Sequence, residues 1–482
     1  MAFDDKPSVK YPSLPPPLSD GKNPHVMIVG AGLAGLFLAI LLEKAGIPYQ
    51  IFERVKEIQP LGAVMSLNAG ILPVLEQLGL YEELLHISLP VTGEFKIYNS
   101  DLALILAPKN VSAEAIGYNH IVFARPDFYN LLLSKVPREK VHFSKKVMSL
   151  EQNREGVMVR CADGTTYHGD ILVGADGAYS GVRQTLYKRL SKAGTLPPSD
   201  GEELNKGYIC TVGITAPLDP IKYPGIDAKD ANINQIIGNN SPYSWSVFTI
   251  PGNRICWNVK RQLATIEEAT DLKLKNSEWG PETSAPMIKQ VRDFLIPFGD
   301  KTLGDLIDAT PQETISCVFL EDKLFDTWNH GRTVLIGDAC HKLLPSAGLG
   351  AATAMQDAVV LANCLYEMNG LSSDDVDETL SDFQTKRFPI VKAQYEASKT
   401  SAKLIYGQSL VERFMRMVVF NWLPESTKMK GAYKGVEFRP QASFLPQIPA
   451  RGTAPVLLQK ISKRYQREVA HRNDAEHATV TV

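Results

Sequence analysis

The chain has 482 residues, 44% hydrophobic and 22% charged, proportions of a globular protein with a large core and a length for two or three domains. A formal net charge of -2 gives no electrostatic case for nucleic acid. Cys161, Cys210, Cys256, Cys317, Cys340 and Cys364 form no CxxC pair and no Cys/His cluster, which argues against a metal site and for reduced thiols.

Residues 1–24 are proline-rich and have neither an apolar centre nor a basic start. They predict an extended tail, not a secretory leader, and the compartment expected is the cytoplasm. His25 to Gly30 is a short apolar run ending in glycine, the pattern of a buried parallel strand. Leu33 to Gly46 has helical periodicity with a glycine at its C-terminal cap, and Pro48 to Glu53 reads as a second strand, completing a βαβ unit. Asn68 is the predicted cap of a helix that runs to Leu78 and stops at Gly79. Pro126 suits the first turn of a helix over Asp127 to Lys135. Val141 to His168 reads as antiparallel strands with Asp163-Gly164 as a hairpin turn, and Ile171 to Gly174 as another buried strand.

From about 205 to 320 alternating runs take over, at Tyr208 to Thr215, Ser244 to Ile250 and Ile255 to Lys260, and predict a separate antiparallel sheet. Thr333 to Gly337 returns to the buried-strand pattern, and helices dominate from 349 to 423. No apolar run is long enough to span a membrane. The segment Leu410 to Leu423, interrupted by Arg413 and Arg416, is expected to pack on the body as an amphipathic helix and not to lie on a membrane. The expected fold is α/β. A Rossmann-type domain with a parallel sheet (25–100, 101–204 and 321–370) is interleaved with an antiparallel substrate sheet (205–320). C-terminal helices (371–425) and an extended tail (426–482) follow.

Three stretches carry chemistry. Gly30-x-Gly32-x-x-Gly35 ends a strand and opens a helix, where a tight turn brings backbone N–H groups against a pyrophosphate. Glu53, at the tip of the next strand, is the expected ribose-binding carboxylate. The second stretch, Val173 to Arg183, contains Asp176-Gly177 and Ser180; standing alone, it reads as an Asp-Gly turn capping a helix. The third runs from Gly337-Asp338 through Cys340-His341-Lys342 and Pro345 to Gly348-Leu349-Gly350-Ala351. Asp338 projects from a strand end, and the amides of Gly348 to Ala352 start a helix able to stabilise negative charge on a flavin edge.

In this order and spacing the three stretches resemble the class A, para-hydroxybenzoate hydroxylase-like flavoprotein monooxygenases. Gly337 to Ala351 looks especially like the fungal epoxidases and hydroxylases of prenylated aromatics and meroterpenoids. The resemblance covers about residues 25 to 400. It implies that Gly30, Gly32, Gly35 and Glu53 contact the ADP half of FAD, and that Ser66 lies along the cofactor. It implies that Arg125 contacts FAD, that Asp176 serves FAD and NAD(P)H, and that Asp338, Gly350 and Ala351 meet the flavin. Relatives often carry Gln-Gly-Ala-Asn where this chain has Leu349-Gly350-Ala351-Ala352, and many have hydrophobic C-terminal helices absent here.

By the same resemblance NAD(P)H reduces FAD, O2 adds at the flavin C4a to give a hydroperoxide, and one oxygen hydroxylates or epoxidises an aromatic or terpenoid-type molecule. Tyr243, on a strand of the inserted sheet, matches a tyrosine treated as catalytic, and a phenol there offers a hydrogen bond to substrate. His341 is expected to pack beside the cofactor loop. The rival readings are an FAD reductase or dehydrogenase without oxygenation and a non-enzymatic flavin-binding interaction protein. A flavin halogenase is disfavoured, because no second tryptophan precedes Ile250-Pro251.

Overall fold

The computed structural model describes residues 23–57, 64–107, 112–239, 241–263 and 281–480; nearly all of the expected N-terminal tail lies outside them. The fold is α/β. Val26–Val29, Tyr49–Phe52, Ile171–Gly174 and Thr333–Leu335 form the centre of a sheet with strand order Asn329–His330, Thr333–Leu335, Ile171–Gly174, Val26–Val29, Tyr49–Phe52, Val141–His142. Pairing is parallel throughout except at the Asn329–His330 edge. These strands are continuous apolar runs because both of their faces are covered. The helix Leu33–Ala45 crosses the sheet and packs against the helix Gly350–Glu367, residues about 300 positions apart in sequence that share one core. Gly46 ends the first helix in the left-handed region at φ 67°, as expected.

A second sheet among the described residues has the order His341–Lys342, Ser316–Leu324, Asn205–Ile214, Arg254–Gln262, Tyr243–Ile250, Ile233–Ile237, Phe95–Asn99, Leu104–Leu106. Its outer face is covered by the helices Pro281–Val291 and Leu303–Asp308 over Trp245, Val247, Trp257 and Val259. Its inner face turns toward the first domain.

Several boundaries differ from expectation. Phe95–Asn99 belongs to the second sheet, pairing in parallel with Ile233–Ile237, so that sheet is mixed and the first cofactor segment ends before residue 95. Strand Ser316–Leu324 continues past 320. Val141–His142 is not part of an antiparallel set but pairs in parallel with Tyr49–Phe52; the hairpin strands begin at Val147, and Gly164 makes the expected turn at φ 83°. Asn68 forms a side-chain turn to the Gly70 N–H, and the helix starts later, at Leu72.

Two C-terminal expectations also change. The helix Leu410–Met417 packs through its arginine: Arg416 is buried, donating to the Leu404 carbonyl at 2.7 Å and to the Gly407 carbonyl, while Leu410 and Phe414 are 84% and 58% exposed. Polar reach into open helix-end carbonyls outweighs burial of that apolar edge. No helix among the described residues is long and apolar enough to cross a membrane. The segment expected as an extended tail from 426 is, as far as residue 480, not one: helices Glu425–Lys434 and Lys463–Val480 form there, and between them Ala442 and Phe444 are buried on the first domain. Gln77 donates to the Ala442 carbonyl at 2.9 Å and Arg439 to the Ile116 carbonyl at 2.8 Å, anchoring a stretch that sequence periodicity does not mark.

Candidate functional site

Where the two sheets face each other lies a cavity of about 770 Å³. One wall is built by the three glycine-bearing stretches. Gly30 stands at φ 104°, and a β-carbon there would come within 2.5 Å of the Ala175 carbonyl oxygen; one on Gly35 would come within 2.1 Å of the Gly30 carbonyl. Only glycine permits this approach of turn, helix and second motif. Glu53 is buried at the adjoining strand end, its carboxylate accepting from the Ala31 N–H at 2.9 Å and the Val55 N–H at 3.0 Å. This fixes the carboxylate beside the turn, as the fingerprint requires.

Asp176 follows the strand Ile171–Gly174. Its Oδ2 accepts from the Val182 N–H at 3.2 Å, whereas Oδ1 is buried without a partner among the described residues. Burial raises the proton affinity of this carboxyl against the hydrogen bonds of Ser180 and Val182. Ser180 caps the following helix at the Arg183 N–H, 2.9 Å. The Arg183 guanidinium then donates to the Ala339 carbonyl at 2.7 Å and the Ala178 carbonyl at 2.6 Å, tying the second motif to the third.

In the third motif Asp338 projects into the cavity and accepts from Lys342 at 2.9 Å. Arg125 lines the same wall; burial lowers its proton affinity and the Asp338 charge opposes that. A β-carbon on Gly348 would come within 2.8 Å of Ser66 Oγ, so the loop lies directly along Ser66. His341 is buried behind the loop, with Nε2 2.5 Å from Asp357 Oδ2. Asp357 also accepts from Arg387 at 2.8 Å and from the Gly337 N–H at 2.9 Å. Burial pushes the Asp357 carboxyl up, but the His341 and Arg387 charges prevail and hold it below its ordinary value. His341 therefore serves the architecture of the turn.

These residues fit a long, doubly anionic dinucleotide. The helices starting at Leu33 and Gly350 have no side-chain cap, so backbone donors remain at two N-termini bordering one cavity. Gly32, Ser66, Arg125, Asp338, Gly350 and Ala351 share that lining; Gly30, Gly35, Glu53 and Asp176 shape it from behind.

The opposite wall is the inner face of the second sheet: Cys210, Val212, Ile233, Gln235, Ser246, Phe248, Asn258 and Lys260, with Tyr406 from the helical part. It is largely apolar, with a polar chain across it. Lys260 Nζ donates to Ser246 Oγ at 2.6 Å, and Ser246 donates to Gln235 Oε1 at 2.5 Å. The Gln235 amide is held by the Ile236 and Trp245 carbonyls. Burial lowers the Lys260 amine to about 8, against the nearby thiols Cys210 and Cys256.

Tyr243 does not join this wall. Side chains alternate along its strand, so Ser246 and Phe248 face the cavity while Tyr243 and Trp245 face outward. Tyr243 packs edge-on to Phe294, and its hydroxyl donates to Gln290. The polar lining residues of this wall that the sequence reading did not single out are Gln235, Ser246, Asn258 and Lys260. Asn258 and Lys260 alternate with Trp257 and Val259, and that pattern reads as a solvent-facing edge when the opposing domain is not known.

A family described as FAD binding domain matches residues 23–199 and 279–398. The FAD-dependent monooxygenase terM of Tolypocladium album is 30% identical over 406 residues, covering 83% of this chain and 82% of that protein. The FAD-dependent monooxygenase ptmM of Penicillium ochrochloron is 30% identical over 391 residues, covering 78% and 87%. Among solved structures, Klebsiella pneumoniae HpxO complexed with FAD and uric acid superposes with a TM-score of 0.69 at 20% identity, covering 86% of this chain and 97% of that one.

Proposed function

The chain belongs to the FAD binding domain family and is an FAD-dependent monooxygenase, and from that premise we propose that its two-walled cavity holds the flavin against a small organic substrate, with NAD(P)H as reductant and O2 as co-substrate. The observation that carries the reading is the shared lining: the dinucleotide motifs and the inner sheet face border the same 770 Å³ space. The turn from Gly30 to Gly35 would receive the pyrophosphate, with Gly32 at the cavity and Gly30 and Gly35 allowing the close packing behind it, and Glu53 would hold the adenosine ribose. Arg125, Asp338 and Ser66, which line the cavity, and Asp176 behind them would hold the middle and the ribityl part of the cofactor. The free amides at the helix start, Gly350 and Ala351, would stabilise negative charge on the flavin.

When bound, the flavin supplies hydride acceptance from the nicotinamide and activation of O2. The protein's share is to bind, orient and keep water out. Val212, Ile233, Phe248, Val318 and Leu320 give an apolar bed for an aromatic or terpenoid-type body. The Cys210 thiol on this wall and the Cys256 thiol beside it are buried and pushed up to about 12, so neither supplies a thiolate at neutral pH. Tyr243 stands outside this scheme because its ring faces the opposite side of the sheet.

The test is mass spectrometry of the product formed by the FAD-loaded enzyme with NADPH, isotope-labelled O2 and a prenylated phenol. Incorporation of one labelled oxygen atom is expected. Oxidation of NADPH that yields only hydrogen peroxide across a phenol and polyprenyl panel would favour a reductase or oxidase.

A further inference from the structure

The polar chain lies in the inner sheet wall of the cavity, outside the three glycine-bearing stretches. Lys260 is 5% exposed, and no carboxylate pairs with it among the described residues. Its surroundings are Ser246, the thiols Cys210 and Cys256, and the Tyr406 ring, whose centroid lies 4.8 Å from the amine. A buried ammonium with a single hydroxyl partner retains two unused donor hydrogens. Asn258 shows the complementary gap: it is 7% exposed, lines the cavity, and its Oδ1 has no partner among the described residues. Ser246 lies directly opposite Asn258 in the strand register, and directly opposed residues have β-carbons about 5 Å apart. Lys260 reaches across to that same Ser246. The spare donor and the spare acceptor therefore converge on one spot of an otherwise apolar wall.

We propose that Lys260 and Asn258, set by Ser246 and Gln235, form a hydroxyl-recognition subsite, and that the substrate is an apolar body carrying one hydroxyl, phenolic or enolic. The substrate oxygen accepts from Lys260 Nζ and its proton is donated to Asn258 Oδ1. An ether satisfies only the lysine, and a hydrocarbon leaves both groups buried and unmatched, which is the strongest form of selection a small site has. The Gln235 amide, clamped by two backbone carbonyls, orients the Ser246 hydroxyl so that the amine is held over the cavity and not folded back on the strand. Lys260 and Asn258 are positioning groups for the substrate; the chemistry remains that of the flavin. This inference rests on the cavity being the substrate site of the monooxygenase.

The FAD-loaded enzyme is titrated with thymol, thymol methyl ether and cymene, three bodies of one skeleton that offer donor and acceptor, acceptor only, and neither. Binding is read from perturbation of the flavin absorbance, without turnover. For the wild type, affinities fall in that order, with thymol tighter than cymene by about tenfold or more. Lys260→Met brings thymol methyl ether and cymene within about twofold of each other, and Asn258→Ala removes the advantage of thymol over its ether. Flavin content, measured on the same samples, stays at one per chain. Equal affinities for the three compounds in the wild type, or no binding of thymol, overturns the proposal without recourse to any variant. Retention of the full preference in Lys260→Met overturns it as well. Loss of flavin from the wild type would instead strike the cofactor reading on which the subsite rests.

Discussion

Burial lowers the Lys260 amine from 10.5 to about 8, a shift that corresponds to about 3 kcal/mol against the folded state when the amine must carry its proton. The penalty is full below pH 8, where the group is protonated both folded and unfolded. It shrinks as pH rises from about 8 toward 10.5, because there the unfolded chain holds more protons than the folded one. Lys260→Met should therefore raise the thermal midpoint by several degrees at pH 7, and that advantage should vanish near pH 10.5, as read by calorimetry on both proteins across the pH series. A variant less stable than wild type at pH 7 would mean that the amine has a stabilising partner. At this scale the glycine-bearing wall was legible and the inner sheet wall was not. Gly30 and Gly35 announce themselves because only a missing side chain allows the 2.5 Å and 2.1 Å approaches seen there. Lys260 and Asn258 look like any outward polar pair on a strand, since burial by a distant domain leaves no local mark. Tyr243 misled for the same reason: an aromatic next to Trp245 marks a buried face, but the face it marks is the outer one.

Between elements, single buried polar groups do the joining. Asp357, on the helix that starts at Gly350, receives His341, Arg387 and the Gly337 N–H. It thereby fixes the strand end that presents Asp338 to the cavity. Asp357→Asn leaves the Arg387 guanidinium buried with its charge unmatched, a loss of about 3–5 kcal/mol. Thermal denaturation should show a large drop in midpoint, and purified protein should carry less than the wild-type complement of flavin. A midpoint within a degree of wild type would show that Arg387 finds other acceptors. Arg183 does a parallel service for the second motif by bonding to the Ala339 carbonyl. Elements with strong local signals, such as Leu33–Ala45 between its glycines, were readable almost to the residue. Phe95–Asn99 was not, because an alternating strand declares its pleat but not which sheet it joins.

Across the whole molecule, the chain passes from the parallel sheet to the second sheet and back, so the two walls of the cavity come from segments far apart in sequence. That interleaving showed in the sequence as a change from continuous apolar runs to alternating ones and back at Thr333. The wrapping of the C-terminal segment did not show. Its hold on the first domain comes from isolated contacts such as Gln77 to Ala442 and Arg439 to Ile116, which have no periodicity. In the proposed arrangement one cavity takes FAD along the glycine-bearing wall and leaves the Lys260 wall for substrate. The most direct measurement is the electron density of crystals grown with FAD and thymol. The expected density has the adenosine end beside Gly30 and Glu53, the flavin ring at Asp338 to Ala351, and the thymol hydroxyl between Lys260 and Asn258. Flavin density lying across Lys260 and Asn258, or none in the cavity at saturating FAD, would contradict it.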